Sequence, residues 1–82
     1  MAYPKIVNVK SLDNYKIKLC YETGEEKLFD VLPYISGAWY GELYNPDYFK
    51  SVRVVCAGQG IEWQNGQDIA PHELYDLSMA LA

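Results

Sequence analysis

The sequence predicts a two-layer α+β fold, a mostly antiparallel five-stranded sheet with helices on one face, in the order β-β-β-α-β-β-α. Three observations point to this class. Short runs alternate apolar and polar residues, as half-buried strands do. Turn residues, including Gly24 and the Asn65-Gly66 pair, separate those runs. Two segments, 33–45 and 71–81, space their apolar residues as helices do.

The first three predicted strands, at 5–12, 15–21 and 26–31, form an antiparallel meander. Asp13-Asn14 makes a tight turn after the first strand, and Gly24 lies in the turn after the second. The second strand alternates, with one face of Ile17, Leu19 and Tyr21 and the other of Lys16, Lys18 and Cys20.

The segment 33–45 is rich in aromatic residues and keeps Ile35, Trp39 and Leu43 at a spacing of four. Two glycines interrupt it, and each costs about 1 kcal/mol of helix stability against alanine. The segment therefore predicts one or two short helical turns rather than a long helix. A further turn of helix follows, with Pro46 as its first residue.

The last part of the chain predicts two strands and a final helix. The strands lie at 51–57 and 61–64, and the second runs into the Asn65-Gly66 turn, where both residue types tolerate positive φ. Pro71 suits the first position of a helix over 71–81, because its missing N–H is no loss there. That helix carries an apolar stripe of Leu74, Leu77 and Leu81.

Composition is that of one globular domain, residues 1–82. Half of the residues are hydrophobic and 22% are charged, which is typical of a packed domain. A net charge of −4 gives no basic stripe of the kind that nucleic-acid binders carry. We expect a cytoplasmic protein with reduced thiols, because the first residues form no apolar signal-peptide core and no apolar run reaches the roughly 20 residues of a membrane span.

Residue types that bind metals or act as nucleophiles are sparse. Cys20, Cys56 and His72 lie far apart, and no C-x-x-C pair exists for zinc. We expect Cys56 to be a small core residue and Cys20 to be a partly exposed thiol. His72 near a helix start is typical of a surface residue. The sequence therefore predicts no enzyme, no metal site and no cofactor.

Asp30 and Asp68 are the carboxylates that best admit a functional interpretation. A paired acid–base site would bring them within roughly 5–10 Å across a pocket. Both lie where the chain changes direction, so the favoured interpretation is that they accept backbone N–H bonds and fix turns. The other predicted turn or cap residues are Gly24, Asn65, Gly66 and Pro71.

The aromatic middle of the chain is the best candidate for an interaction surface. Eight tyrosines are more than a core of this size needs, since each buried hydroxyl requires a partner. Part of the set should cover the sheet, and part should be exposed, where Trp and Tyr act as binding hot spots. The predicted surface consists of Trp39, Tyr40, Tyr44 and Tyr48.

Four motifs, taken in order, resemble a known family. They are K-I-K-L-C-Y-E-T-G-E-E at 16–26, L-F-D-V at 28–31, N-P-D-Y-F-K-S-V-R-V at 45–54 and G-I-E-W-Q-N-G-Q-D-I-A-P-H-E-L-Y at 60–75. Together they resemble small bacterial proteins of domain-of-unknown-function family 2442. The resemblance implies a two-layer α+β fold similar to the N-terminal domain of some helix-turn-helix regulators. It also implies a gene setting beside a second small protein, as in toxin–antitoxin pairs, and it carries over no catalytic residue.

Two functions follow as hypotheses. The first is a protein–protein interaction module, antitoxin-like, that binds a small basic protein and no membrane. The second is a nucleic-acid-associated regulatory domain, which ranks lower because the chain has no helix-turn-helix segment. In that case phosphates would contact Lys10, Lys16, Lys18 and Lys27. A homodimer through an unpaired edge strand is compatible with the first function.

Overall fold

The protein folds into a four-stranded sheet, a separate two-stranded sheet and several short helices, as described for residues 3–81 by a computed structural model. Met1, Ala2 and Ala82 lie outside the described residues. The first two belong to the amino-terminal segment on which the expectation about a signal peptide was based. The predicted α+β class and antiparallel pairing are confirmed. The single five-stranded sheet is wrong, because two of the strands pair only with each other and a further strand joins the larger sheet.

The helices are all short, and the longest of them has six residues. The strands are β1 (Ile6–Leu12), β2 (Lys16–Tyr21), β3 (Glu26–Asp30), β4 (Arg53–Val55), β5 (Gly60–Glu62) and β6 (Met79–Leu81). The α-helices are α1 (Gly37–Tyr40), α2 (Pro46–Phe49) and α3 (Pro71–Asp76), and 3-10 helices lie at Asp13–Tyr15, Leu32–Tyr34, Gly41–Tyr44 and Cys56–Gly58. None of the helices within residues 3–81 is long and apolar enough to cross a membrane.

The larger sheet has the strand order β1-β2-β3-β6 and is antiparallel throughout. The alternation of β2 buries Ile17, Leu19 and Tyr21, as the sequence predicts. Phe29 of β3 lies directly opposite Ile17 and is buried with it. Gly24 joins β2 to β3 with a φ of 91°, a conformation that glycine adopts without a side-chain penalty. One face of this sheet is therefore core.

The smaller sheet pairs β4 with β5 in antiparallel register. Between them the chain turns through Cys56, Ala57 and Gly58, whose φ values of 53°, 54° and 93° are all left-handed. Cys56 is exposed, so the expectation of a core cysteine is wrong. The cause is that β4 ends at Val55, before the predicted alternation reaches the cysteine.

The carboxyl-terminal segment differs most from expectation. The predicted helix over 71–81 is wrong, since α3 ends early and β6 forms on the free edge of β3. The apolar stripe is split: Leu74 is fully buried, whereas Leu77 is 64% and Leu81 39% exposed. A helix this short has little stability of its own. Pairing with β3 gives the last residues backbone partners that a longer helix end would have left open.

One continuous cluster of buried side chains joins both sheets and the helices. Trp63, directly after β5, is fully buried and is the largest of them. Its Nε1 donates to the carbonyl of Phe49 at 2.9 Å, and the two rings lie 5.7 Å apart. The residues after β5 are therefore anchored in the core from one side, which positions the turn that follows.

Candidate interaction surface

The Asn65-Gly66 turn is the platform of the candidate site. The N–H of Gly66 donates to the carbonyl of Trp63 at 2.9 Å, and the N–H of Trp63 donates to the carbonyl of Gln67 at 2.9 Å. Gly66 has a φ of 103°, whereas Asn65 has no positive φ. The turn therefore needs a left-handed residue only at its glycine. Two neighbours of the turn, Glu62 and Asp68, form an isolated antiparallel bridge that extends the pairing.

Two tyrosines of the predicted surface fasten the aromatic segment to this turn. The Tyr48 hydroxyl donates to Oε1 of Gln67 at 2.6 Å and accepts from the N–H of Asn65 at 2.8 Å. The Tyr40 hydroxyl donates to the carbonyl of Asp68 at 2.9 Å. Both side chains are partly buried against the core. Tyr40 and Tyr48 thus hold the fold together at this place, and their hydroxyl groups are already engaged.

Helix α2 positions Tyr48 for this role. The Asn45 side chain accepts hydrogen bonds from the N–H groups of Asp47 and Tyr48, at 3.0 and 3.4 Å, and so caps the helix start. Pro46 occupies the first helical position, where it has no N–H to lose. Phe49 ends the helix and is buried. The short helix is therefore fixed at both its cap and its apolar end.

Gln67 is the central polar residue of the site, and it is fully buried. Its Nε2 donates to the carbonyl of Trp39 and to Oε1 of Glu42, both at 2.9 Å, while its Oε1 accepts from Tyr48. Sequence reasoning missed this residue. Its only signal in the sequence is a polar side chain next to the turn. Gln64, on the other side of the same turn, carries the same signal and is exposed.

Glu42 supplies the charge of the site, and sequence reasoning missed it as well. Its two carboxylate oxygens accept from Nδ2 of Asn65, each at 2.9 Å, and Oε1 also accepts from Gln67. These hydrogen bonds, from Asn65 first and Gln67 second, lower the pKa of Glu42. Among residues 3–81 the ion pair present is that of Arg53 with Glu62, so no cation neutralises Glu42 within the described part of the chain.

The other two residues of the predicted surface, Trp39 and Tyr44, are 52% and 51% exposed. A methyl group placed on Gly66 would lie 4.0 Å from Cζ2 of Trp39, so the indole lies over the turn. Tyr44 points elsewhere, with its ring 5.5 Å from that of Tyr15 in an edge-on arrangement. The predicted set is therefore divided: Trp39 belongs to the site on the turn, and Tyr44 lies beside the first hairpin.

The remaining predicted residues lie outside this site. Oδ1 of Asp30 accepts from the N–H of Leu32 at 3.1 Å, which fixes the end of β3. Asp68 contributes its carbonyl to Tyr40 rather than its carboxylate. Pro71 is the first residue of α3. Among residues 3–81, no three side chains from His, Cys, Asp and Glu come together as a metal site would require.

The open face of the larger sheet carries basic side chains. Lys10 of β1 lies directly opposite Lys18 of β2, and Lys16 is two residues along the same strand. Lys27 lies on the other face, where its Nζ donates to the carbonyl of Tyr75 at 2.9 Å and lies 3.8 Å from the centre of that ring. The expectation that Lys27 joins the other lysines is wrong, because Lys27 pairs in register with Leu19 of the buried face.

Comparison with known proteins gives one match. The family model described as a protein of unknown function (DUF2442) matches residues 6–80. No curated protein and no solved structure matches the chain.

Proposed function

The chain belongs to the DUF2442 family of proteins of unknown function, and on that premise we propose that it is a protein–protein interaction module rather than an enzyme. The observation that carries the proposal is the exposed indole of Trp39, which lies over a turn whose Asn65 side chain binds the carboxylate of Glu42. A half-exposed Trp held by a fixed backbone resembles the hot spots of protein interfaces, which are rich in Trp and ordered before binding.

The partner that fits is a small basic protein. The chain carries a net charge of −4, and the site itself holds an anionic Glu42. Opposite charge on the partner would speed association and favour the correct orientation. We further propose that the chain is the antitoxin-like member of such a pair, in the cytoplasm, where its two thiols stay reduced.

Affinity capture of the tagged protein from its native host, with and without nuclease, tests the proposal when it is run beside two variants. Trp39→Ser removes the exposed indole, and Tyr44→Ser removes an equally exposed aromatic ring outside the site. We expect one small basic protein in near-equal ratio, resistant to nuclease and lost with Trp39→Ser only. Equal capture by Trp39→Ser and the unchanged protein would refute the assignment of the surface.

The second candidate function, binding to nucleic acid, is favoured by the lysines on the open sheet face. Like charges directly opposite each other, as in Lys10 and Lys18, disfavour pairing unless an anion lies over them. Phosphates would supply that charge, and binding would weaken steeply with salt. A labelled duplex that shifts at low salt, and fails to shift with Lys10→Gln and Lys18→Gln together, would move this function to first place.

Self-association is compatible with the first function. The larger sheet ends in β1 on one side and β6 on the other, and neither has a further strand beside it within residues 3–81. The residues of β6 are uncharged and exposed, so two copies could pair there around a two-fold axis. Light scattering over a concentration series measures this directly.

A further inference from the structure

We propose that Trp39 and Glu42 together form a receptor for one arginine side chain of the partner, with the guanidinium stacked on the indole and bonded to the carboxylate. This inference rests on the proposed function and names the chemistry of the same site. It concerns one cation-binding position, which requires an aromatic face, an anion beside it and a rigid frame. The described residues supply all three.

The residues that supply the aromatic face and the anion are close in the sequence. Trp39 belongs to α1 and Glu42 to the 3-10 helix that continues it, three residues later. Side chains three apart share one side of such a helix. The turn brings the two side chains to one place, because the Trp39 ring lies over Gly66 and the preceding residue, Asn65, donates to both oxygens of Glu42. Nε2 of Gln67 also ties the main-chain carbonyl of Trp39 to Oε1 of Glu42, each at 2.9 Å.

The anion has room for a further donor. A carboxylate offers about four lone-pair positions. Oε1 of Glu42 accepts from Asn65 and Gln67, whereas Oε2 accepts from Asn65 alone. The Glu42 residue is exposed, and its present partners are neutral amides. A cationic donor can therefore bind the free acceptor position of Oε2 without displacing any of these bonds.

The frame is rigid because every polar group that orients Glu42 is itself held. Gln67 is fully buried and bonded at both ends of its amide, and the N–H of Asn65 is bonded to Tyr48. Arginine suits this geometry better than lysine, because its planar guanidinium can stack on an indole while donating to a carboxylate. A preordered site of this kind loses little side-chain freedom on binding.

The two tryptophans make a direct test available. The indole N–H of Trp39 should report on the site, while that of Trp63, buried and bonded to Phe49, serves as an internal control. The ¹H–¹⁵N spectrum of the full chain is followed during titration with acetyl-Gly-Arg-Gly-Arg-Gly-amide. We expect a saturable shift of the Trp39 resonance with little change at Trp63, and no saturable shift with the glutamate version of the peptide.

Three variants separate a binding role from a structural one. Glu42→Gln keeps the size of the side chain and removes its charge, and we expect it to weaken peptide binding by roughly threefold or more. Trp39→Leu should weaken binding to a similar degree, read from the Asn65 side-chain amide, and it leaves the Glu42 bonds in place. Asp13→Asn, an exposed carboxylate in the first hairpin turn, is the matched control and should bind as the unchanged protein does.

Equal binding by Glu42→Gln, or equal shifts with the arginine and glutamate peptides, would overturn the arginine receptor. A lysine peptide that binds as tightly as the arginine peptide would overturn the stacking geometry. These results are separable from the proposed function. A captured partner that Glu42→Gln retains would refute the receptor alone, whereas arginine binding without any captured partner would refute the interaction module alone.

Discussion

The aromatic segment at 37–49 and the carboxyl-terminal segment at 77–81 are both rich in large apolar side chains, yet they are attached to the molecule differently. The first is fastened to the Asn65-Gly66 turn and its neighbours by hydrogen bonds that Tyr40 and Tyr48 donate and that Glu42 accepts. The second is attached by pairing of β6 with β3, and its side chains Leu77 and Met79 are 64% and 66% exposed. The first segment is thus held by side-chain hydrogen bonds together with the buried Leu43 and Phe49, whereas the second is held by backbone pairing and leaves its side chains exposed.

The largest expected effect on stability is at Trp63, which is buried beneath the first region. Trp63→Ala should lower the free energy of unfolding by about 3–5 kcal/mol, because it removes the largest buried side chain and leaves a cavity. Small domains have roughly 5 kcal/mol in total, so much of this variant should be unfolded. Leu77→Ala in the second region should cost no more than about 0.5 kcal/mol. Urea denaturation of both compares the regions, and similar losses would erase the distinction.

A smaller effect is expected at the central amide. Gln67→Leu keeps the approximate volume but leaves the Tyr48 hydroxyl and the Trp39 carbonyl without their partner. Unpaired buried polar groups cost about 1–3 kcal/mol. Gln64→Leu, on the exposed side of the same turn, should be close to neutral. If denaturant midpoints show the same change for both, the network does not hold the aromatic segment.

Acid should weaken the attachment of the first region. The pKa of Glu42 in the folded protein is lowered from its usual 4.5 by hydrogen bonds from Asn65 and Gln67. Its contribution is therefore present above pH 4.5 and is lost as the pH falls through the lower, folded value. We expect the difference in unfolding free energy between the unchanged protein and Glu42→Gln to shrink between pH 6 and pH 3. A constant difference over that range would contradict the assignment.

Alkali should weaken the larger sheet, to which the second region is attached through β6 and β3. Burial raises the pKa of Tyr21 to about 12, and its hydroxyl has no hydrogen-bond partner among residues 3–81. Because the folded value lies above the usual 10.0, stability is complete below pH 10 and declines as the pH rises towards 12. The part of the tyrosinate absorbance that Tyr21→Phe removes should appear late and together with unfolding. Tyr21→Phe should reduce that loss.

The smallest effect is expected at the exposed strand. Met79→Lys places a charge on a side chain that is 66% exposed, so the free energy of unfolding should change by no more than about 0.5 kcal/mol. If β6 pairs with a second copy, the same change should abolish association, since charge protects an edge strand. A stability loss above about 1.5 kcal/mol would show that the second region contributes more than its contacts indicate.

The sequence predicted the parts of this fold whose signals are local. The alternation in β2, the glycine turn after it and the short helical turns of the aromatic segment follow from spacing and from glycine and proline. The helix over 71–81 could not be rejected locally, because the free edge of β3 that attracts β6 is created by the tertiary structure. The exposed turn at Cys56 likewise depends on where β4 stops.

The candidate site was half predictable for the same reason. Aromatic excess indicated the segment that holds Trp39 and Tyr48, since buried hydroxyls need partners. It could not indicate which ring is exposed. That depends on the later turn, whose Gln67 donates a hydrogen bond to Glu42, 25 residues away in the sequence. Glu42 itself looks like any surface glutamate in sequence. Its role arises only when Asn65 and Gln67 meet it in space.

The turn at Asn65-Gly66 also controls how readily Asn65 deamidates. In a flexible chain an Asn-Gly pair deamidates: the glycine nitrogen attacks the carbonyl carbon of the asparagine side chain, ammonia leaves, and water opens the resulting succinimide to a carboxylate. Here the nitrogen of Gly66 is bonded to Trp63, and the departing amide of Asn65 is bonded to both oxygens of Glu42. Folding therefore protects the side-chain amide of Asn65 from this reaction. If that amide is converted to a carboxylate, the new charge would face Glu42, and repulsion between the two would loosen the aromatic segment from its turn.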